Sequence, residues 1–301
     1  MSAFVPTLAD LYGSIRDDLA RVRLIFDEEV LSHYAFVNEL CETVRSYRGK
    51  MLRPALLLLS GKACGELSSV HHVLGAVVEM VHMATLVHDD VLDGADERRR
   101  RPTIRRLSGN TSAVLLGDYL ISHAFHLCSS LNDQHASRRI GHSTNVVCEG
   151  EMLQNIEAHN VSLSEGGYLE ILRRKTGALT AVACELGAKF AGAEDEVVEA
   201  MVVYGMSVGV AFQIVDDVLD ITGDEQELGK TLGMDAGLGK PTLPTIHCLA
   251  HAGARERQQL IQCLSGNGRV DRDTLESWLR GTDSLTYALD VAQQQVAQAV
   301  A

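Results

Sequence analysis

Apolar residues recur at the three- and four-residue intervals of an α-helix through most of the chain. In the segment 70–92 they stand at positions 73, 74, 77, 78, 81 and 86, which predicts one long amphipathic helix. A comparable segment covers 196–221; it opens with acidic residues and closes at Thr222-Gly223. The same periodicity predicts further helices over about 7–30, 52–63, 111–131, 135–158, 165–190, 241–252 and 271–298.

The breaks between these segments are short and rich in Gly, Asn, Asp or Ser. The longest irregular stretches are 94–109 and 223–240, and each follows an aspartate-rich helix end. Long loops in a compact helical protein often carry function. Because no Pro/Ser-rich linker interrupts the sequence, we expect a single all-α domain over residues 1–301.

Composition and charge narrow the class of protein. Of the 301 residues, 46% are hydrophobic, 22% charged and 5% aromatic, a balance that favours a soluble helical protein. The net charge of −13 argues against nucleic-acid binding, which depends on clustered Lys and Arg. Seven scattered cysteines without a CxxC pair predict reduced thiols in the cytoplasm. The chain starts without a signal-peptide pattern, and no apolar run approaches the roughly 20 residues of a membrane span.

Two identical Asp-Asp-Val-Leu-Asp strings, at 89–93 and 216–220, each end an apolar helix; we call them the first and the second aspartate motif. Their outer carboxylates are four residues apart, on one helix face, where like charges repel. A single string of this kind is more often a solvated acidic surface, but two copies predict paired magnesium ligands. The spacing does not fit an EF-hand, which needs alternate oxygen ligands and a closing Glu.

Magnesium commonly binds through one or two carboxylates together with substrate phosphates, so we expect a diphosphate substrate. An acidic protein needs local cations for such a ligand. Arg98–Arg101 is the densest positive run, and arginine binds phosphate through paired hydrogen bonds. Other basic side chains near predicted loops or helix starts are Lys50, Arg53, Lys175, Lys230 and Lys240, and His82 lies two helical turns before Asp89. Taken alone, each of these is more often an ordinary surface or structural residue.

Both aspartate motifs occur in longer strings that resemble the trans-isoprenyl diphosphate synthases. The string 79–93, Glu-Met-Val-His-Met-Ala-Thr-Leu-Val-His-Asp-Asp-Val-Leu-Asp, followed by Arg98-Arg99, resembles the first motif of this family, and 212–220, Phe-Gln-Ile-Val-Asp-Asp-Val-Leu-Asp, resembles the second. The segments 49–54, 117–119, 149–151, 175–176 and 239–244 match in order and spacing. The resemblance covers about residues 45–250.

The resemblance implies a helical barrel or bundle of the isoprenoid synthase type around a deep cavity, a homodimer, and head-to-tail condensation of isopentenyl diphosphate with an allylic diphosphate. It implies about two or three Mg²⁺ ions, with Asp89, Asp93 and Asp216 as principal ligands and Asp90, Asp217 and Asp220 in support. The implied isopentenyl diphosphate ligands are Lys50, Arg53, His82 and Arg99. The implied allylic diphosphate ligands are Arg98, Lys175, Thr176, Gln213, Lys230 and Lys240. By the same resemblance, Lys175 also belongs with Asp89, Asp93 and Asp216 in the catalytic set.

Three positions depart from the family pattern: Arg48 and Arg100 replace the usual glycines, and Met234 replaces a charged residue. Every charged ligand is retained.

Product length depends, in the family, on bulk just upstream of the first aspartate motif. Ala84 and Thr85 are small there, which predicts a long product of about C30 to C50, near C40, because each buried CH₂ stabilises the growing tail by about 0.8 kcal/mol. The local strings look most like octaprenyl-type synthases. We expect a product of this length to be delivered to a membrane.

Three alternatives remain open at this point: a short-chain farnesyl or geranylgeranyl diphosphate synthase, a class I terpene cyclase, and a non-catalytic partner subunit. Lys50, Arg53 and His82 favour condensation over cyclisation, because a cyclase needs no isopentenyl site. Two intact aspartate motifs argue against a non-catalytic subunit.

Overall fold

The computed structural model describes residues 7–224 and 233–300. Within these two ranges the protein consists of α-helices with one short two-stranded ribbon, which confirms the all-α class. In the first part of the chain the helices are α1 (Leu8–Tyr12), α2 (Arg16–Glu29), α3 (Ala35–Ser46), α4 (Leu52–Cys64), α5 (Ser69–Leu92) and α6 (Ile104–Ser129). A 3₁₀ turn, Gly13–Ile15, joins α1 to α2, and the strands β1 (Glu97–Arg98) and β2 (Arg101–Pro102) lie between α5 and α6.

The second part of the chain contains α7 (Gln134–Ile156), α8 (Glu165–Leu172), α9 (Ala178–Phe190), α10 (Asp195–Thr222), α11 (Met234–Gly237), α12 (Leu243–His251), α13 (Ala254–Leu264), α14 (Arg272–Gly281) and α15 (Ser284–Ala299). A π-helical turn, Arg173–Gly177, separates α8 from α9. The two long helices predicted from periodicity are therefore present within one residue at each end.

Some predicted boundaries were wrong, each for a local reason. The stretch 94–109 is less irregular than predicted, because Thr103 accepts a hydrogen bond from the backbone of Arg106 and starts α6 at Ile104. The predicted break at Gly109 is a kink inside α6, with φ 82°. The segment 271–298 is two helices, since Asp283 adopts the left-handed conformation between them.

The chain divides into two compact units. Unit 1 comprises Met1–Asp96, Pro102–His142 and Val182–Val202, and unit 2 comprises Glu97–Arg101, Ser143–Ala181 and Val203–Ala301. The single domain over 1–301 stays a prediction.

In unit 1, α5 is the central helix and packs against α2, α4 and α6. Its start is fixed by Ser68 and His71, since the His71 ring accepts from the Ser68 backbone at 3.0 Å. Close packing depends on small residues: a Cβ on Gly117 of α6 would lie 2.1 Å from the His88 ring on α5. These contacts hold the helix that carries the first aspartate motif.

In unit 2, the C-terminal half of α10 packs with α12 to α15. Ile214, Leu243, Leu260, Leu279 and Ala288 are fully buried in this core. The Tyr168 side chain of α8 joins them and is 3% exposed. Unit 2 therefore anchors the helix that carries the second aspartate motif.

The expectation that no apolar run approaches the length of a membrane span was wrong: α5 and α10 are long and apolar enough to span a membrane by length and composition alone. In the most apolar 18-residue stretch of each helix, 67% of α5 and 39% of α10 is buried inside the protein. Core helices of soluble proteins have the same composition, and both helices pack in the cores described above.

Candidate active site

The first aspartate motif occupies the C-terminal end of α5. Asp89 and Asp90 lie in the last turn, and Asp93 is the C-cap residue, whose backbone N–H donates to the Asp89 carbonyl at 2.8 Å. The negative end of the helix dipole makes this a poor place for carboxylates. Asp90 is buried, 1% exposed, whereas Asp89 and Asp93 are partly exposed. Solvent therefore reaches Asp89 and Asp93, the predicted pair, but not Asp90.

Arg53 belongs to the electrostatic surroundings of the first aspartate motif. It lies in the first turn of α4, where burial lowers the pKa of its guanidinium while the carboxylates of Glu79 and Asp89 raise it. Glu79 is 2% exposed. It was not among the predicted site residues, although it opens the string 79–93 that resembles the first motif of the family. Lys50 is exposed just before α4, after which Met51 adopts a left-handed conformation with φ 50°.

The predicted chain-length residues differ in burial. Ala84 is completely buried within α5. Thr85 is partly exposed, and its hydroxyl donates to the carbonyl of His82 at 2.7 Å. His82 itself is partly exposed on the same helix.

The arginine run forms the turn of the β1–β2 ribbon. Arg98 ends β1, and Arg99 and Arg100 make the two-residue turn with φ 52° and 61°. Positive φ at both positions is the pattern of a type I′ turn, which favours Gly or Asn. Arg100 therefore adopts the backbone conformation for which the family pattern has glycine.

Arg48, the other replaced glycine, has a structural role. Its guanidinium pairs with the carboxylate of Asp27 and lies 4.4 Å from the centre of the Phe26 ring. The Arg48 side chain thus has contacts of its own at a position where the family usually has glycine.

In unit 2, the π-helical turn presents Lys175 and Thr176. Such turns in otherwise α-helical segments are common at functional sites. The Lys175 ammonium pairs with Glu151 at 2.6 Å and donates to Gln154 at 2.8 Å. The Thr176 hydroxyl donates to the Gln213 side-chain oxygen at 3.1 Å. The structure thus brings together Thr176 and Gln213, which the sequence predicted to share one substrate.

A hydrogen-bond network continues from Gln213 to the second aspartate motif. The Gln213 amide donates to one oxygen of Asp217 at 2.9 Å, and the Tyr168 hydroxyl donates to the other at 2.7 Å. The pKa of Asp217 is raised to about 6: burial is the largest cause, the charges of Asp216 and Asp220 raise the pKa further, and these two hydrogen bonds partly oppose the rise. Both Asp217 oxygens are thus engaged, while Asp216 is partly exposed.

Asp235 adds a further carboxylate next to the second aspartate motif. Its backbone N–H lies 3.5 Å from an Asp220 carboxylate oxygen, and a cavity of about 10 Å³ is lined by Asp217, Asp220 and Asp235. The backbone N–H of Lys240 donates to the Asp235 carbonyl at 2.8 Å. Sequence reasoning missed Tyr168 and Asp235, because only the folded chain places them beside the motif. Lys230 lies outside the described residues.

These oxygen-rich groups fit magnesium. Each motif offers a partly exposed carboxylate, Asp89 or Asp216, backed by buried ones. A buried carboxylate whose pKa is raised by its neighbours is stabilised by any nearby cation, and Mg²⁺ favours oxygen ligands of this kind. The donor set therefore agrees with the metal implied by the resemblance.

The hydrogen bond from Tyr168 to Asp217 gives a testable pH dependence. Replacing Tyr168 by Phe removes a donor that lowers the pKa of Asp217, so the proton competes with Mg²⁺ at a higher pH. In the unchanged protein we expect Mg²⁺ affinity to fall as the pH drops through about 6, the pKa of Asp217. In Tyr168→Phe the fall begins at higher pH, and titration calorimetry at several pH values measures the difference.

Tyr287→Phe is the matched control, because the Tyr287 hydroxyl also donates to a carboxylate, that of Glu165, at 2.7 Å. This variant should keep the unchanged pH profile. Identical profiles for Tyr168→Phe and the unchanged protein would contradict the assigned role of Tyr168.

Comparison with known proteins identifies the family. The family profile described as Polyprenyl synthetase matches residues 35–280. Octaprenyl diphosphate synthase of Escherichia coli is 33% identical over 94% of this chain and 88% of its own length. Nonaprenyl diphosphate synthase of Mycobacterium tuberculosis is 36% identical, over 95% and 86%.

Among solved structures, the polyprenyl synthase of Caulobacter crescentus, complexed with calcium and isoprenyl diphosphate, aligns with a TM-score of 0.93. The alignment covers 97% of this chain and 90% of that one at 33% identity. The chain therefore belongs to the polyprenyl synthetase family of trans-prenyltransferases.

Proposed function

We propose that this protein condenses isopentenyl diphosphate with an allylic diphosphate, head to tail, and extends it to an all-trans polyprenyl diphosphate of about C30 to C50, near C40. The observation that carries the proposal is the presence of two intact aspartate motifs together with Arg53 beside the first motif. The octaprenyl and nonaprenyl synthases among its relatives support the long product.

The substrate roles divide between two groups of side chains. Isopentenyl diphosphate is bound by four basic side chains near the start of α4, on α5 and in the β1–β2 turn: Lys50, Arg53, His82 and Arg99. The allylic diphosphate is bound by Arg98, Lys175, Thr176, Gln213, Lys230 and Lys240. Arginine and lysine offset the negative charge of the diphosphates, and the Thr176–Gln213 hydrogen bond fixes the orientation of the Gln213 amide.

The metal roles follow the burial of the carboxylates. Asp89, Asp93 and Asp216, which are partly exposed, bind about two or three Mg²⁺ ions directly. Asp90, Asp217 and Asp220, which are buried, support them, and Asp217 does so through the fixed network with Tyr168 and Gln213. Mg²⁺ held by these carboxylates would neutralise the diphosphate and make it a better leaving group.

The remaining chemistry needs few protein groups. Lys175, already paired with Glu151, contributes positive charge where the allylic diphosphate departs. The released diphosphate accepts the final proton, so no dedicated protein base is assigned.

We place the enzyme in the cytoplasm as a homodimer that delivers its long product to a membrane. Exposed apolar side chains on α6, namely Leu107, Leu115 and Phe125, are 55%, 62% and 38% exposed. Apolar surface on one helix is typical of a subunit interface, and it supports association through α6.

Incubation with labelled isopentenyl diphosphate, farnesyl diphosphate and Mg²⁺ tests the reaction directly. We expect label in a long prenyl product separated by chromatography. Asp216→Asn should lower the rate by at least about a hundredfold, since it removes a charge that stabilises the leaving diphosphate. Asp195→Asn, an exposed change at the start of the same helix, should not. Absence of labelled product from the unchanged enzyme defeats the proposal.

Product length is tested at Ala84 and Thr85. Ala84→Tyr should shorten the product because the ring fills space that the growing tail would occupy. Ala84 is fully buried, so circular dichroism must show that the variant is folded. Thr85→Phe is the second variant because Thr85 is partly exposed. Thr85→Val, of similar shape, is the control that keeps the product long. If folded Ala84→Tyr and Thr85→Phe both make the original product, these residues do not set its length.

A further inference from the structure

A cluster of one carboxylate and two imidazoles lies in unit 1, on residues with no role in the proposed reaction. Glu29 is the last residue of α2, and His123 and His126 lie one turn apart on α6. One Glu29 oxygen lies 3.1 Å from Nδ1 of His123 and 2.9 Å from Nδ1 of His126. The three potential ligand atoms all lie within 4.8 Å of one another.

Electrostatics favours a cation at this cluster. The Glu29 side chain is only 17% exposed, and the ion pairs recorded for it among the described residues are those with His123 and His126. A mostly buried carboxylate needs a compensating positive charge. A bound metal ion supplies that charge while using both imidazoles as ligands.

We propose that Glu29, His123 and His126 bind one zinc ion that ties the end of α2 to α6. Two imidazole nitrogens and one carboxylate oxygen are a known zinc ligand set with a fourth position left for water. Bond lengths of about 2.0–2.1 Å place tetrahedral ligand atoms roughly 3.3 Å apart, close to the two distances of 3.1 and 2.9 Å between Glu29 and the imidazoles. His126 is 76% exposed, which leaves the fourth position open to solvent.

Neighbouring groups orient the ligands. The Tyr119 ring lies 4.3 Å from the His123 ring, and its hydroxyl donates to the carbonyl of Val30, the residue after Glu29. These two contacts limit the rotation of the His123 ring and connect α6 to the end of α2. The donor set also separates this site from the aspartate motifs, because imidazole suits zinc whereas carboxylates alone suit magnesium.

Zinc binding to the full-length protein tests the proposal. Competition with a chromophoric chelator is carried out in saturating Mg²⁺, which occupies the aspartate motifs. We expect one Zn²⁺ per chain, a higher melting temperature with zinc, and visible absorption bands of four-coordinate Co²⁺ when cobalt replaces it. His126→Ala should weaken zinc binding at least tenfold and abolish the rise in melting temperature. Because His126 is exposed, this change should leave the fold intact.

Two further variants keep the test decisive. Glu29→Gln retains the size of the side chain and its ability to accept hydrogen bonds but removes the anionic ligand, so it should also weaken zinc binding. His142→Ala removes an exposed histidine from α7 and should bind zinc like the unchanged protein. The proposal is overturned if the unchanged protein loses zinc to the chelator completely, or if His126→Ala and Glu29→Gln bind zinc as it does.

Discussion

Repulsion between carboxylates at two helix ends is the constraint on which the rest of this structure depends. Each aspartate motif sets like charges one helical turn apart, near the negative end of the helix dipole of α5 or α10. Neither arrangement favours an isolated helix. Both persist because long apolar faces hold the helices in packed cores, so packing free energy offsets local electrostatic cost. Mg²⁺, which the family uses to bind the substrate diphosphate, would also relieve this repulsion.

Identical motifs acquire different surroundings in the folded chain. In the second motif, Tyr168 and Gln213 engage both oxygens of Asp217, and burial raises the pKa of that carboxyl group. In the first, the middle residue Asp90 is likewise buried, while Arg53 and Glu79 supply opposite charges nearby. The middle aspartate of each motif is therefore buried, whereas the first aspartate of each is partly exposed.

Periodicity predicted the all-α class and the bounds of α5 and α10 because both helices have strong, uninterrupted apolar patterns. Helices α3 and α13 were missed although their apolar residues recur at helical spacing: Cys41 and Val44 are buried in α3, and Leu260, Cys263 and Leu264 are buried in α13. Repeated spacing identified the aspartates, but Tyr168 is 49 positions from Asp217, and no local pattern links them. Arginine itself gives no signal for the positive φ at Arg100; the signal for it was the glycine that the family pattern has at this position.

Calorimetric titration with inorganic diphosphate tests most directly whether the two aspartate motifs hold metal ions against a diphosphate. The account predicts tight binding in the presence of Mg²⁺, and little or none once Mg²⁺ is removed by chelation, because the carboxylates then repel the anion. Binding of equal strength with and without Mg²⁺ would contradict it.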